Sequence, residues 1–502
     1  MELLVHNFLF QLLGVLVAII VTAYIYLKYV AFNYWINKGI RQADPVVPFG
    51  NMLPVLTAKK SIGEFLRDSY LHFKDTPAFG FYSFNKPSLV IRDPNLVRFV
   101  LMKEFSHFQD RGIYYNEGVD PLSGHLFMLS GVKWRKLRIK FSPTFTSGKM
   151  KHMFSVVKEC SDNLVQCVAA ETKDNKLIEI KDLVARFTTD VIASVAFGIE
   201  CNSLQNPDAE FRIWGRKILE PRPIVNALIV LCPSLLKLFN VATINREISN
   251  FIISTFEKIV EYRTVNNVVR KDFLDLIIQL MNKGYVKGDD GKESPTEPAA
   301  QVFIFWLAGF ETSSSAVTHC IYELAVNQDV QNELAIEISR VLEEYGGLTY
   351  ESLNAMPYLQ KVVSETLRKY PSLPILNRKC TRDIDLPGTG LHVTKGTLIV
   401  ISVLGLHSDP ELYPEPDKFD PERFNEENIA SRHRYAYIPF GEGPRNCIGM
   451  RFGLLQTKMG LVSLLSKYRF ELGPDTKVPL EIKKGNFFLC PKDEITLRVE
   501  ER

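Results

Sequence analysis

Pro439-Phe440-Gly441-Glu442-Gly443-Pro444-Arg445-Asn446-Cys447-Ile448-Gly449 decides more about this chain than any other stretch. It holds one cysteine framed by glycines, with an arginine two residues before it and a helix-like run after it. The glycines let the backbone turn tightly and approach a flat macrocycle closely. A helix starting near Gly449 would aim amide N–H groups and its positive end at the sulfur, which favours a metal-bound thiolate. The other seven cysteines, Cys160, Cys167, Cys201, Cys232, Cys320, Cys380 and Cys490, have no C-x-x-C pairing and no zinc or iron–sulfur spacing. Their ordinary reading is as small core hydrophobes.

The spacing Phe440-x-x-Gly443-x-Arg445-x-Cys447-x-Gly449 resembles the haem-binding signature of the cytochrome P-450 superfamily. The resemblance implies haem b with Cys447 as axial thiolate, Phe440, Arg445 and Gly449 around the cofactor, and haem-thiolate monooxygenase activity. It also implies the fold: mostly α with small β-sheets, a long central helix over the haem, a small β-rich subdomain and an N-terminal membrane anchor.

Composition alone is ordinary for a globular protein, with 46% apolar and 23% charged residues over 502 positions. A formal charge of +3 gives no reason to expect nucleic-acid binding. From Phe8 to Leu27 the chain is apolar except at Gln11, Gly14 and Thr22, enough at about 1.5 Å per residue to cross a bilayer core. The run is too long for a usual cleaved signal. Lys28, Lys38 and Arg41 follow it, which places the body in the cytosol; the resemblance implies that the membrane is that of the endoplasmic reticulum. The chain has no N-x-[ST] sequon, in keeping with a body that is not translocated. The expected organisation is an anchor over 1–27, a proline-containing linker over 28–54 and a haem-binding monooxygenase domain over 55–502.

Strand-like alternation appears in Phe79 to Arg92, in Gly396 to Leu404 after the turn Pro387-Gly388-Thr389-Gly390, and in Glu494 to Val499. Lys283 to Glu297 reads as a surface loop. A long helix should start within Ser294 to Pro298 and run to about Asn327. Inside it lies Ala308-Gly309-Phe310-Glu311-Thr312-Ser313. A mid-helix glycine costs about 1 kcal/mol against alanine, and local opening of the helical ladder beside a ligand would explain it. The segment resembles the family's oxygen-activating motif, which implies that Thr312 hydrogen-bonds dioxygen, that Glu311 links it to solvent protons, and that Ala308 and Gly309 leave room above the haem.

Glu365 and Arg368 are spaced to pair on one helix face. Glu64 to Arg67 and Glu337 to Arg340 share that spacing, so the spacing alone says little. Pro371 and Pro421-Glu422-Arg423-Phe424 follow in the order of the family's buried triad, which implies a structural cluster of Glu365, Arg368 and Arg423. Trp134 and Arg138 sit at i and i+4 on one face. The resemblance puts both on the haem propionates, with Arg378 and Arg445 as further partners, a use suited to guanidinium groups.

Neither G-x-G-x-x-G nor a Walker loop occurs, so electrons from NADPH must arrive through a separate flavin reductase; cytochrome b5 is a second candidate donor. Lys133, Arg135, Lys136, Lys140, Arg432 and Arg434 are candidates for its docking face, or a plain solvated basic surface. Pocket candidates, from Phe105 to Leu129, Phe303 to Thr312, Leu373 to Leu376 and Asn486 to Leu489, are mostly apolar or aromatic, which suits lipophilic substrates. Asp120-Pro121-Leu122-Ser123-Gly124-His125-Leu126-Phe127 and Pro143-Thr144-Phe145-Thr146-Ser147-Gly148-Lys149 bring the resemblance closer to insect microsomal detoxification enzymes, whose substrates include plant toxins, insecticides and some hormones. Two other readings stay open: a reductase-independent haem-thiolate isomerase or dehydratase, and a non-enzymatic membrane haem carrier or gas sensor.

Overall fold

The computed structural model describes residues 2–502 apart from 174–175, 221–228, 230–235, 237, 271, 283–295, 485 and 487. Helix α1, Glu2–Tyr29, stands clear of the body: its apolar window has a mean hydropathy of 2.5 and none of it is buried in the protein. It is long and apolar enough to cross a bilayer. The chain then docks at once. Phe32 and Trp35 are buried, and a side chain at Gly80 would collide with the Trp35 ring. Ala43 N–H donates to Gly80 O at 2.9 Å, which fastens residues 31–43 to the first sheet.

That sheet has the order β1-β2-β7-β4. Strands β1 (Ala78–Ser83) and β2 (Lys86–Ile91) form an antiparallel hairpin, and the alternation over Phe79 to Arg92 hides its turn at Phe84 and Asn85. Strand β7 (Leu398–Ser402) runs parallel to β2 and antiparallel to β4 (Ile375–Lys379). After Ser402 the chain turns helical, so the alternation over Gly396 to Leu404 overruns the strand. The turn at 387–390 joins β5 (Ile384–Leu386) to β6 (Leu391–Val393). A third sheet sets β3 (Leu177–Glu179) beside β9 (Thr496–Glu501) and β8 (Tyr468–Leu472).

Helices make up the rest. Those that build the site are α2 (Gly131–Phe141), α3 (Ser147–Glu171), α4 (Ile180–Ile192), α5 (Glu210–Ile218), α6 (Arg246–Val265), α7 (Thr296–Val326), α8 (Pro357–Lys369) and α9 (Met450–Leu465). Helix α7 is 31 residues long, about 46 Å at 1.5 Å per residue, and packs against α4, α6, α8 and α9. It is buried nearly all round, as a core helix must be if it is apolar on every side. Of the loop read over Lys283 to Glu297, 283–295 lie outside the described residues, and Thr296 and Glu297 already belong to α7.

Helix α8 opens on Pro357, whose missing N–H costs nothing in a first turn, and ends at Lys369 before Pro371. Within it Arg368 donates to Glu365 through Nε to Oε2 at 2.7 Å and Nη2 to Oε1 at 2.8 Å. Arg423 Nε lies 3.4 Å from Glu365 Oε1. The other two pairs of equal spacing do not form among the described residues: Glu64 caps its own helix at Ser61 and binds Lys484, and Glu337 accepts the amides of Tyr358 and Leu359.

A cysteine-centred candidate cofactor site

The loop before α9 is shaped by two glycines with left-handed backbone. Gly441 has φ of 68° and Gly443 of 78°, where an L side chain is strained. At Gly443 a side chain would also collide with the carbonyl oxygen of Leu101. The loop closes through Cys447 N–H donating to Phe440 O at 2.8 Å, which seats Phe440 and Cys447 on adjacent turns. Gly449 caps α9, and its amide hydrogen-bonds the sulfur.

The Cys447 side chain is open to solvent, yet burial pushes its thiol upward as for an interior group. The sulfur therefore faces a recess inside the molecule. Gly449 N–H, Arg138 and Arg111 act in the other direction and favour thiolate.

The opposite wall comes from α7. On this largely buried helix Ala308 is exposed and Thr312 half-exposed, one turn apart on one face. That turn lies close to the start of α9: a Cβ at Gly453 would sit 3.9 Å from Ser313 Oγ. Thr312 Oγ1 donates to Ala308 O at 2.6 Å, and Ser372 Oγ donates to Thr312 O at 3.2 Å. The helix is unbroken through Gly309, which corrects the expectation of an opened ladder. The glycine is there because α4 needs the space: a Cβ would meet Ile192 Cδ1 at 2.5 Å. Room at position 309 therefore serves helix packing, and the exposed surface belongs to Ala308.

Trp134 and Arg138 do share one face of α2. Arg138 donates to Asn446 O at 2.9 Å and to Asn446 Oδ1 at 2.6 Å, which ties α2 to the cysteine loop. The Arg445 guanidinium lies 4.1 Å from the Trp134 ring centre and donates to Leu129 O at 2.5 Å. Arg378, placed by β4, is fully buried and donates to Asn377 O at 2.8 Å. A fourth cation was not legible in the sequence: Arg111 donates to Arg445 O at 3.3 Å and stacks 4.2 Å from the Phe127 ring. Its only sequence signal is that it is the one Arg or Lys in the pocket stretch Phe105 to Leu129.

These cations stand close enough to oppose one another. Burial and then Arg111 and Arg445 push Arg378 well below the ordinary arginine range. Burial, followed by Arg111, takes Arg445 down to about 9, and burial takes Arg111 to about 10. Arginine keeps its proton in proteins, so the push measures unmet positive charge. The Nε atoms of Arg111, Arg378 and Arg445 have no hydrogen-bond partner, and the nearby acid, Asp110, is 3.9 Å from Arg445. Such a donor set suits a buried dianion. A Cβ at Gly449 would meet nothing within 4 Å, so the backbone two residues after Cys447 borders open space. Residues and chemistry together fit a porphyrin carrying two carboxylates.

Residues 41–499 match the profile of the cytochrome P450 family. The chain belongs to that family. This P450 is 42% identical to cytochrome P450 6k1 of Blattella germanica, over 97% of its own length and 96% of the relative's. It is equally similar to cytochrome P450 6A1 of Musca domestica, with 98% of both chains covered, and 43% identical to probable cytochrome P450 6a14 of Drosophila melanogaster, over 93% and 95%. Family membership makes the protein a monooxygenase-class oxidoreductase that uses haem with cysteine thiolate ligation. P450s as a family draw electrons from a redox partner and act on lipophilic substrates.

The remaining candidates are distributed as follows. Glu311 is buried and turned to the flank of α7, towards Cys490. Cys490 is thus more than a core hydrophobe. On the basic surface Arg135 and Lys136 are exposed and Arg434 is 78% exposed, whereas Lys133 pairs with Glu117. Arg432 is turned onto the Tyr413 and Phe424 rings. Cys232 and Phe487 lie outside the described residues.

Proposed function

We propose that this P450 is a microsomal monooxygenase that inserts one atom of dioxygen into lipophilic molecules, xenobiotics and plant toxins among them, with electrons from NADPH through a separate flavin reductase. Residues 1–27 anchor it in the endoplasmic reticulum membrane, 28–54 lead to the cytosolic body, and 55–502 carry the chemistry. The observation that carries the reading is Cys447: its sulfur is open inside the protein, near buried arginines whose Nε atoms have no hydrogen-bond partner.

Cys447 would hold the haem iron through its thiolate. Arg138, Arg378, Arg445 and Arg111 would hold the propionates, while Trp134 fixes Arg445 through its ring face. Bound haem supplies oxygen activation, which an electron-donating thiolate favours. Gly449 N–H and the positive end of α9 restrain the charge on sulfur. On the other wall Thr312 is the proton donor. Its hydroxyl rests on Ala308 O, so a rotation about χ1 frees the proton and presents it to the cavity. Glu311 refills Thr312 from the solvent side; burial holds its carboxyl above the usual range, partly offset by Lys181, which suits a group that must carry a proton. The Glu365, Arg368 and Arg423 cluster holds α8 to the segment preceding the cysteine loop and takes no part in chemistry.

For reductase docking, α2 offers exposed Arg135 and Lys136 beside exposed Val132 and Ile139, and the cysteine-side surface adds Arg434. Cations around an apolar centre suit an acidic partner; cytochrome b5 would compete for the same face. The test is reductase-dependent oxygen uptake with product formation in membranes containing the full chain. Thr312→Ala should lower product formed per NADPH consumed by at least tenfold, on the order of one general-acid contribution. Coupling unchanged by that substitution would reject the proton route.

A further inference from the structure

Glu311 leaves the cavity face of α7 and points to a pocket of about 620 Å³ that opens to solvent. Lys181 of α4, Arg212 of α5, and Asn486 and Cys490 from the chain's last loop wall that pocket. Glu311 is only 7% exposed. Among the described residues one side chain hydrogen-bonds it: the Cys490 thiol donates to Oε1 at 3.5 Å. Lys181 and Arg212 act on it through charge alone, and Arg212 is itself bound to Asp182. Cys490 is itself buried, so this bond is made out of bulk water.

We propose that Cys490 is a positioning residue for proton delivery: its S–H holds Glu311 Oε1 towards the side pocket, where the carboxylate takes up a solvent proton before returning it to the Thr312 side. This rests on the reading of Glu311 as the proton carrier. In each cycle an O–H bond forms on Glu311 from solvent and breaks towards Thr312, with no net change in Glu311. The sulfur keeps its hydrogen throughout, because burial and then the Glu311 charge push the thiol up to about 11. A donor that never ionises at working pH favours the carboxylate form and opposes the effect of burial on Glu311. The groups that act on Glu311 are Lys181 from α4, Arg212 from α5 and Cys490; the other charged groups lining the pocket are Glu179, Asp182, Arg216, Glu220, Lys483, Lys492, Asp493 and Glu494.

Two readouts on the full-length holoprotein test this. Infrared difference spectra against Glu311→Gln isolate the protonated Glu311 carboxyl band, which can be followed with pH. Cys490→Ala removes the donor and should move that titration up by about half a pH unit, a modest hydrogen bond's worth; Cys490→Ser restores a donor and should bring it back. With reductase and a fluorogenic alkoxycoumarin, product formed per NADPH should show the same displacement in Cys490→Ala, the same rescue in Cys490→Ser, and an unchanged KM. If Glu311→Gln lowers coupling but Cys490→Ala moves neither readout, the role of Cys490 is overturned and the carrier reading stands. If Glu311→Gln leaves coupling intact, both fall.

Discussion

Replacing Glu365 by alanine should be among the most damaging single changes outside the cofactor site. Its carboxylate is fully buried and accepts from Arg368 Nε at 2.7 Å, Arg368 Nη2 at 2.8 Å and Asp420 N–H at 3.0 Å, with Arg423 Nε at 3.4 Å. Arg368, 1% exposed, would keep its bonds to His407 O and Pro416 O at 2.8 and 2.7 Å but lose its counter-charge. An unpaired buried charge of this kind costs about 3–5 kcal/mol, roughly a fifth or more of a typical stability of about 5–15 kcal/mol. The assay is urea unfolding of detergent-solubilised protein, followed by tryptophan fluorescence and by pigment absorption. Lys361→Ala is the reference, because its 2.9 Å pair with Glu422 is 25% and 52% exposed and should contribute about 0–1 kcal/mol. Glu365→Met with Arg368→Met should recover part of the loss, since the fully buried guanidinium goes with its carboxylate, while Arg423, 10% exposed, loses its carboxylate and keeps its bond to Glu415 O. A Glu365→Ala protein within about 1 kcal/mol of the parent would refute this account of the cluster.

Gly443→Ala should abolish pigment retention, because the added carbon meets the Leu101 carbonyl in a left-handed backbone; normal haem content after purification would contradict it. Burial pushes His125 and His407 down to about 3 and His319 to about 4, against an unfolded value of about 6.5. Folded values below the unfolded one mean that this stability is present above pH ~6.5 and is lost as pH falls, by about 2 kcal/mol per histidine at pH ~5. His407→Gln should therefore lose less urea resistance on acidification than the parent, and an identical pH slope would count against the assignment. Charge reversal at Lys136 together with Arg434 should slow reductase-supported turnover several-fold at low salt and less at high salt, where screening already weakens steering; unchanged low-salt turnover would remove this docking face.

Local spacing made much of the site legible. Cys447 and its glycines, Trp134 with Arg138, and Glu365 with Arg368 each declare themselves within a few residues, and the order of the motifs along the chain added what no single one carried. Contacts between distant segments were not legible. Arg111 joins the cations only because the loop before α2 folds under Arg445. Gly309 is explained by Ile192 on another helix, and Cys490 by Glu311, 179 positions away. At strand ends alternation misled: Ala78–Tyr82 and Ser88–Ile91 are buried on both faces of their strands, so burial along the sequence does not mark the Phe84–Asn85 turn.

The most direct measurement is the absorption of the dithionite-reduced, carbon-monoxide-treated protein, taken for the parent and for Cys447→Ser with far-UV circular dichroism as a check on folding. The account predicts a strongly red-displaced band in the parent and its loss in a folded Cys447→Ser protein. A parent without that band despite bound haem, or a serine variant that keeps it, would contradict ligation by Cys447.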